Sequence, residues 1–384
     1  MIVFITYLKS KVHRYKPNGK LGAIIIMSRI YNFNAGPAAL PLEVLQTAQA
    51  ELIDFNGTGM SILESSHRAK AYAAIHQEAK DNIRELMNIP ENYSILFLQG
   101  GASTQFSMVP MNLLTEGKVA DYTNSGTWAN KAIKEAKKVG KVNVVADCQK
   151  EIPTRVPTMD ELKLTPDAAY LHITTNETIS GAQWKEMPNV ACPIVADMSS
   201  DILSRPLDIS KFGLIYAGAQ KNLGPSGLTV VIIRNDLAEA APENLPTMLQ
   251  YRTHIAEDSL YNTPPCFSIY ILALVTRWIK KMGKETLFQQ NIDKAAMLYS
   301  AIDNSDGWYR GTAVKEFRSD MNITFRLPTE ELEAEFIAAA AKAGFGGLKG
   351  HRSVGGIRAS IYNAFPVEGV EKLVEFMAEF KKNH

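Results

Sequence analysis

The chain has 384 residues, with 41 Lys+Arg against 40 Asp+Glu and a formal net charge of +1. That balance argues against nucleic acid or a membrane surface as the main partner. A hydrophobic share of 46% and a charged share of 21% suit an ordinary soluble enzyme. Cys148, Cys192 and Cys266 are too few and too scattered for a zinc site or a disulfide framework. No metal is therefore expected, and a reducing, cytoplasmic setting is.

The first 29 residues carry six Lys+Arg and no acid. Their first apolar run precedes the charges, the reverse of a secretory signal, and neither run is long enough to span a bilayer. Met27 reads as a natural start, so residues 1–27 are expected to be a disordered extension or the product of a mis-assigned start. Next comes an extended segment broken by Gly36, Pro37 and Pro41. The spacing of Leu42, Leu45, Ala48, Leu52 and Ile53 predicts a helix from Pro41 to Asn56, ended by Gly57. A polar loop with His67 and Arg68 leads into a second amphipathic helix over 69–87.

From ILFLQGGASTQF to about residue 235, short apolar strands alternate with helical stretches, among them a helix over 128–139. This alternation predicts an α/β fold with a mostly parallel sheet covered by helices on both faces. Residues 268–300 read as one long helix. The tail mixes the strands NITFRL and IRASIYN with helices over 329–343 and 367–382, and reads as a smaller α+β domain. The domains are expected to divide as 42–288 for the large one, with 28–41 and 289–384 making the small one.

The stretch 213–234 organises the candidate chemistry. Two buried strands, Leu214 to Ala217 and Leu228 to Ile233, enclose a loop rich in small residues whose single cation is Lys221. A partly desolvated amine there is a nucleophile toward carbonyls, although a loop lysine taken alone is ordinarily solvated. One strand earlier, PIVADMSSD ends on Asp197, where open α/β sheets bind ligands. Adjacent strands would bring that carboxylate and the amine to one edge of the sheet. A heteroaromatic aldehyde with a ring nitrogen needs such a pair. In LQGGASTQFS, Gly100 and Gly101 follow a strand and Ser103 and Thr104 open a helix. The start can seat a phosphate, and equally Ser103 or Thr104 can simply cap it. Trp128 and Thr178 stand at similar strand ends; a core ring and a turn-forming hydroxyl are their bland readings. The His67-Arg68 pair and GHRSVGGIR, with His351, Arg352 and Arg358, suggest a substrate with more than one anionic group.

Together, NFNAGPAALP, SHR, GGASTQF, TNETI, ADMSSDILSRP, YAGAQKNLGPSGLT, NTPP and GHRSVGGIRASIYNA resemble the phosphoserine aminotransferases over nearly the whole chain after Met27. These are pyridoxal-phosphate enzymes of fold type I and of the class V aminotransferase family. The resemblance implies a seven-stranded large-domain sheet and pyridoxal 5'-phosphate as cofactor. Lys221 would form the imine with the cofactor and shuttle the substrate proton, and Asp197 would pair with the ring nitrogen. Trp128 would stack on the ring and Thr178 would bond its oxygen. Ala102, Ser103 and Gln220 would hold the phosphate, with Asn262 and Thr263 reaching in from a second subunit of a homodimer. Arg358 would take the substrate α-carboxylate, while His67, Arg68, His351 and Arg352 would take the distal anion, some across the interface.

The implied reaction is reversible transamination between glutamate and 3-phosphohydroxypyruvate, giving O-phospho-L-serine and 2-oxoglutarate, and also use of 4-phosphohydroxythreonine. Two positions depart from some members of the family: Ala35 stands where they have Ser, and Ser103 where they have Arg. The alternatives are a small-amino-acid:glyoxylate aminotransferase, a cysteine desulfurase or a non-catalytic α/β binding protein. A desulfurase ordinarily stacks His on the ring and needs a mobile-loop Cys; here the stacking position is Trp128.

Overall fold

The computed structural model describes residues 13–15, 22–24 and 29–384. The first two segments, His13–Tyr15 and Gly22–Ile24, form a short antiparallel pair. The rest of the expectation about 1–27 lies outside the described residues.

Helix α1, Leu42–Glu51, buries Val44 and Ala48. It stops short of the expected end at Asn56. Asp54 there accepts from the Gly59 N–H, and Asn56, Gly57 and Gly59 all adopt left-handed φ, so a turn wins over the last helical turn. Ile53, expected on the buried face, is 81% exposed. Helix α2, Lys70–Met87, ends on Asn88 in the left-handed conformation, whose N–H bonds back to Arg84 and Glu85.

Strand β1 (Tyr93–Leu98), helix α3 (Gly101–Leu113), β2 (Val119–Asn124), helix α4 (Thr127–Val139), β3 (Lys141–Asp147), β4 (Leu171–Thr174), β5 (Ile194–Asp197), β6 (Phe212–Gly218) and β7 (Thr229–Arg234) follow in turn. They build a seven-stranded sheet in the order β1-β7-β6-β5-β4-β2-β3, in which β7 alone runs antiparallel to its neighbours. Both faces are covered, which is why the strands read as continuous apolar runs. Side chains alternate between two cores: Ile95, Phe97, Ile215 and Ile232 face one, and Leu96, Leu98, Tyr216 and Val231 the other.

The single helix expected over 268–300 is two, α5 (Cys266–Met282) and α6 (Lys284–Asp303). They are broken by Gly283 at φ 86°, a conformation glycine adopts without a Cβ penalty. Leu287 near the start of α6 packs in the large sheet's core, whereas Ala295, Leu298 and Ile302 belong to a separate core. That second core lies against a three-stranded antiparallel sheet of Arg310–Gly311, β8 (Asn322–Arg326) and β9 (Ile357–Ser360). Helices α7 (Glu330–Lys342) and α8 (Val367–Asn383) cover it, burying Phe336, Leu373 and Met377. Residues Tyr31–Asn32 pair with Phe345–Gly346, and Phe33 packs in this second core.

Candidate active site

The parallel strands β2, β4, β5 and β6 all end at one edge of the large sheet, on Asn124, Thr174, Asp197 and Gly218. Ligands bind outside such carboxyl ends. An open cleft of ≈ 690 Å³ lies there, lined by Ala102, Ser103, Trp128, Thr178, Asp197, Gln220 and Lys221 among others. Seven residues singled out from widely separated parts of the sequence thus share one space.

Lys221 follows β6 in a tight loop. The Ala219 N–H bonds to the Leu228 carbonyl at 2.9 Å, and the N–H groups of Leu223 and Gly224 return to the Ala219 carbonyl at 3.1 and 2.8 Å. The Ala38 N–H adds a bond to the Gln220 carbonyl, which brings the segment before α1 against the loop. The Lys221 amine donates to the Thr178 hydroxyl at 2.7 Å. Burial lowers its pKa from 10.5 to about 8; the positive field of Arg358 adds to that and Asp197 opposes it. The solvated-loop reading of Lys221 therefore fails.

Asp197 is buried at the end of β5, and its Oδ1 accepts from the Ser199 N–H at 2.9 Å. Burial pushes its carboxyl up, while the bonds from Ser199 and the nearby Lys221 charge pull it back. The start of α3 is capped by neither Ser103 nor Thr104. Its N-cap is Gly100 at φ 90°, with no side-chain bond, and the Thr104 hydroxyl donates to the Gly100 carbonyl. A Cβ at Gly100 would stand 1.9 Å from the Thr104 oxygen, so glycine is required there. The capping reading is overturned, and the first-turn N–H groups face the cleft uncapped.

Trp128 lies in the first turn of α4, one residue after its start. Arg358, on β9, donates to the Thr178 carbonyl at 3.3 Å and so brings the second unit to the cleft. Tyr362, just beyond β9, donates to the Ala35 carbonyl at 2.8 Å, and neither residue lines the cleft. His351 bonds to Ser353 in the turn before β9; burial and the charges of Arg358, Arg352 and Lys131 hold its imidazole below the usual range. Arg352 is exposed.

Arg358, His351 and Arg352 do not line the cleft themselves, Arg358 lining instead a groove with Ser180 and Arg326, and the remaining candidates are not brought into the cleft either. Arg68 is exposed and His67 half-buried in the loop before α2, away from the cleft lining. Asn262 donates to Gln99 at 3.2 Å, and neither it nor Thr263 lines this chain's cleft. Other residues here were missed from sequence. Asn176 donates to Ser200 and to Asn322 of β8, each at 2.8 Å, tying the two units together. Ser199 and Ser200 line the cleft. Glu177 is fully buried between Asn176 and Thr178, and burial raises its carboxyl to about 7. The signal for all of these was the run of polar residues directly after an apolar strand.

A model of the class-V aminotransferases matches residues 30–373. The phosphoserine aminotransferase of Geobacillus kaustophilus is 59% identical over 357 residues, which are 93% of this chain and 99% of that protein. The chain belongs to the class-V aminotransferase family. Among solved structures, the phosphoserine aminotransferase of Bacillus circulans subsp. alkalophilus superposes with a TM-score of 0.89 at 56% identity, covering 92% of this chain and 99% of its own. A PLP-bound phosphoserine aminotransferase from Trichomonas vaginalis gives 0.88 at 42% identity, covering 91% and 100%. The expected family and its fold, a large mostly parallel seven-stranded sheet with a smaller α+β unit, are both borne out.

Proposed function

We propose that this chain is a pyridoxal 5'-phosphate-dependent aminotransferase that moves the amino group of glutamate to 3-phosphohydroxypyruvate, yielding O-phospho-L-serine and 2-oxoglutarate. The observation that carries the reading is one cleft holding the Lys221 amine bonded to Thr178, the buried Asp197 carboxylate and an uncapped helix start. Each of these suits one part of the cofactor: an aldehyde, a ring nitrogen and a phosphate. When bound, the cofactor supplies an electron-withdrawing ring that acidifies the substrate Cα–H.

The chain's own residues do the rest. Lys221 attaches the cofactor and moves the proton at the substrate Cα, and Asp197 holds a negative charge opposite the ring nitrogen. Trp128 presents a flat face to the ring. Thr178, already bonded to Lys221, aims the amine and takes the ring oxygen. Ala102, Ser103 and Gln220 seat the phosphate, and the partner subunit's Asn262 and Thr263 complete that seat in a homodimer. Arg358 takes the α-carboxylate. His67, Arg68, His351 and Arg352 take the distal anion, which is a γ-carboxylate in one half-reaction and a phosphate in the other. The imidazoles add hydrogen-bond donors beside the guanidiniums. The same distal site accepts 4-phosphohydroxythreonine, which would place the chain in pyridoxine biosynthesis as well as serine biosynthesis. Among the described residues no helix is long and apolar enough to cross a membrane, and we assign the cytoplasm as its compartment.

The test is direct. Purified protein given pyridoxal phosphate should turn yellow, lose the colour on borohydride treatment with the label on Lys221, and change its visible band on addition of phosphoserine or glutamate. Protein that stays colourless would end this reading, and a response to alanine but not phosphoserine would favour a glyoxylate aminotransferase.

A further inference from the structure

Glu177 has no part in the chemistry above, yet it is fully buried beside the cleft, and buried carboxyl groups are rare without a task. One oxygen, Oε1, accepts from the Ser125 hydroxyl at 3.2 Å and from the Ala129 N–H at 3.3 Å. Those donors bracket Trp128 in the chain, one on each side. The other oxygen, Oε2, has no partner. Helix α4 has no side-chain cap of its own: its N-cap residue is Gly126. A Cβ on Gly126 would lie 2.4 Å from the Glu177 carboxyl carbon, so the carboxyl occupies the space where that side chain would stand. Gly126 has extended backbone at φ 175°, which any residue can adopt, so its smallness serves the carboxyl rather than the turn.

On its other side Glu177 is joined to Thr178, which accepts the bond from the Lys221 amine. A short strand, Asn176–Glu177, pairs with Ala182–Gln183 and holds the segment rigid. The hydrogen bonds from Ser125 and Ala129, on either side of the start of α4, both run to this carboxyl.

We infer that Glu177 is a positioning residue: its buried carboxyl acceptor locks the Trp128-bearing turn of α4 to the strand that aims Lys221, and so sets the ring platform relative to the amine. The inference rests on the function proposed above. It assigns the carboxyl an acceptor's task and not a charge's. Its raised pKa agrees, because a protonated carboxyl still accepts through Oε1.

The experiment compares Glu177→Ala, Glu177→Gln and Gly126→Ala as holoenzymes with the parent. The readouts are cofactor dissociation constant and the induced circular dichroism of the bound cofactor, which reports the ring's asymmetric surroundings, with kcat and KM alongside. Glu177→Ala should weaken cofactor binding about tenfold and reduce the induced dichroism, as loss of a buried acceptor that leaves its donors unpaired implies. Glu177→Gln should restore both to within about threefold of the parent, since the amide oxygen keeps the acceptor. Gly126→Ala, which pushes the carboxyl aside without removing it, should reproduce the Glu177→Ala signature. In the double variant the two effects should be less than additive, because the missing carboxyl leaves room for the methyl.

Parent-like dichroism and affinity in Glu177→Ala would overturn the inference. So would a Gln variant as damaged as the Ala variant, which would mean the charge matters and not the acceptor. If Glu177→Ala fails to fold, a parent-like Gly126→Ala holoenzyme still overturns it. A parent that never takes up the cofactor removes the proposed function instead, so the two failures are distinct.

Discussion

The Lys221 amine shows how one residue's chemistry is set by opposed fields. Burial and Arg358 favour the neutral form and Asp197 favours the charged one, with the balance at about 8. The sign follows: the ordinary value is 10.5, so the nucleophilic neutral amine accumulates above about pH 8 rather than only in strong base. The rate of trapping Lys221 with pyridoxal phosphate and borohydride should therefore rise through about pH 8. Asp197→Asn removes the attraction and should move that inflection down, while Arg358→Ala removes the repulsion and should move it up. An inflection indifferent to both changes would contradict this balance. The arginines divide the substrate by the same logic. Arg358→Ala should cut kcat/KM about thirtyfold or more for every amino acid, as expected for truncating one partner of a desolvated charge pair. Arg68→Ala should hurt phosphoserine far more than alanine, and equal loss on both would remove its role at the distal anion.

Helix α6 shows the same opposition between local pattern and surroundings. Lys294 is 1% exposed and donates to the carbonyls of Ile361, Tyr362 and Phe365 at 3.0, 2.8 and 3.1 Å. Those carbonyls belong to the segment after β9, whose Asn363 N–H donates to the side chain of Asn222, next to Lys221. Removing the amine takes a buried donor from three carbonyls, of which, among the described residues, only Tyr362's keeps another partner, the Phe365 N–H, so Lys294→Met should cost about 2–4 kcal/mol in denaturant unfolding. Burial lowers the Lys294 pKa from 10.5 to about 7. Between those values the unfolded chain binds a proton that the folded chain does not. The lysine's contribution to stability should therefore increase with pH from about 7 to 10, and the gap between parent and variant should widen over that window. A gap absent at every pH would show that Lys294 is not the clamp described, and one that does not widen would show that the three carbonyls hold the amine protonated through the window.

At the scale of the whole molecule, the cleft lies on the large sheet, which supplies Asp197 and Lys221, and the second unit reaches its rim through the bond from Arg358 of β9 to the Thr178 carbonyl. Asn262 and Thr263 lie outside this chain's cleft, as residues serving a second chain would. That assignment predicts complementation. Lys221→Ala and the Asn262→Ala/Thr263→Ala double variant should each be defective alone. Each mixed dimer should recover one native site, built from the intact Lys221 of one chain and the intact Asn262 and Thr263 of the other. Activity that does not rise when the two are mixed, unfolded and refolded together would place the pair outside the site.

Much of this organisation is local and so legible in the sequence. Apolar runs buried on both faces marked the strands β1 to β7, and glycine pairs at strand ends marked the loops where ligands bind. Lys221 and Asp197 stood out because a charge at the end of a buried strand has few innocent neighbours. The one-helix reading of 268–300 failed because an apolar period continues across Gly283, while a single left-handed residue redirects the axis. The helix expected to reach Asn56 failed because Asp54 and the following residues offer the backbone a competing turn. Glu177 and Lys294 escaped for a different reason: the polar run after a strand marks the neighbourhood of Glu177, but the partners of both lie about fifty and seventy residues away, and nothing in a local window shows that these charges are buried. The sequence by itself determined the sheet, its covering helices and the lysine–carboxylate pair, because those follow from periodicity and strand adjacency. Only the tertiary structure decided which polar side chains are desolvated and what they hold, because burial depends on the packing of distant segments.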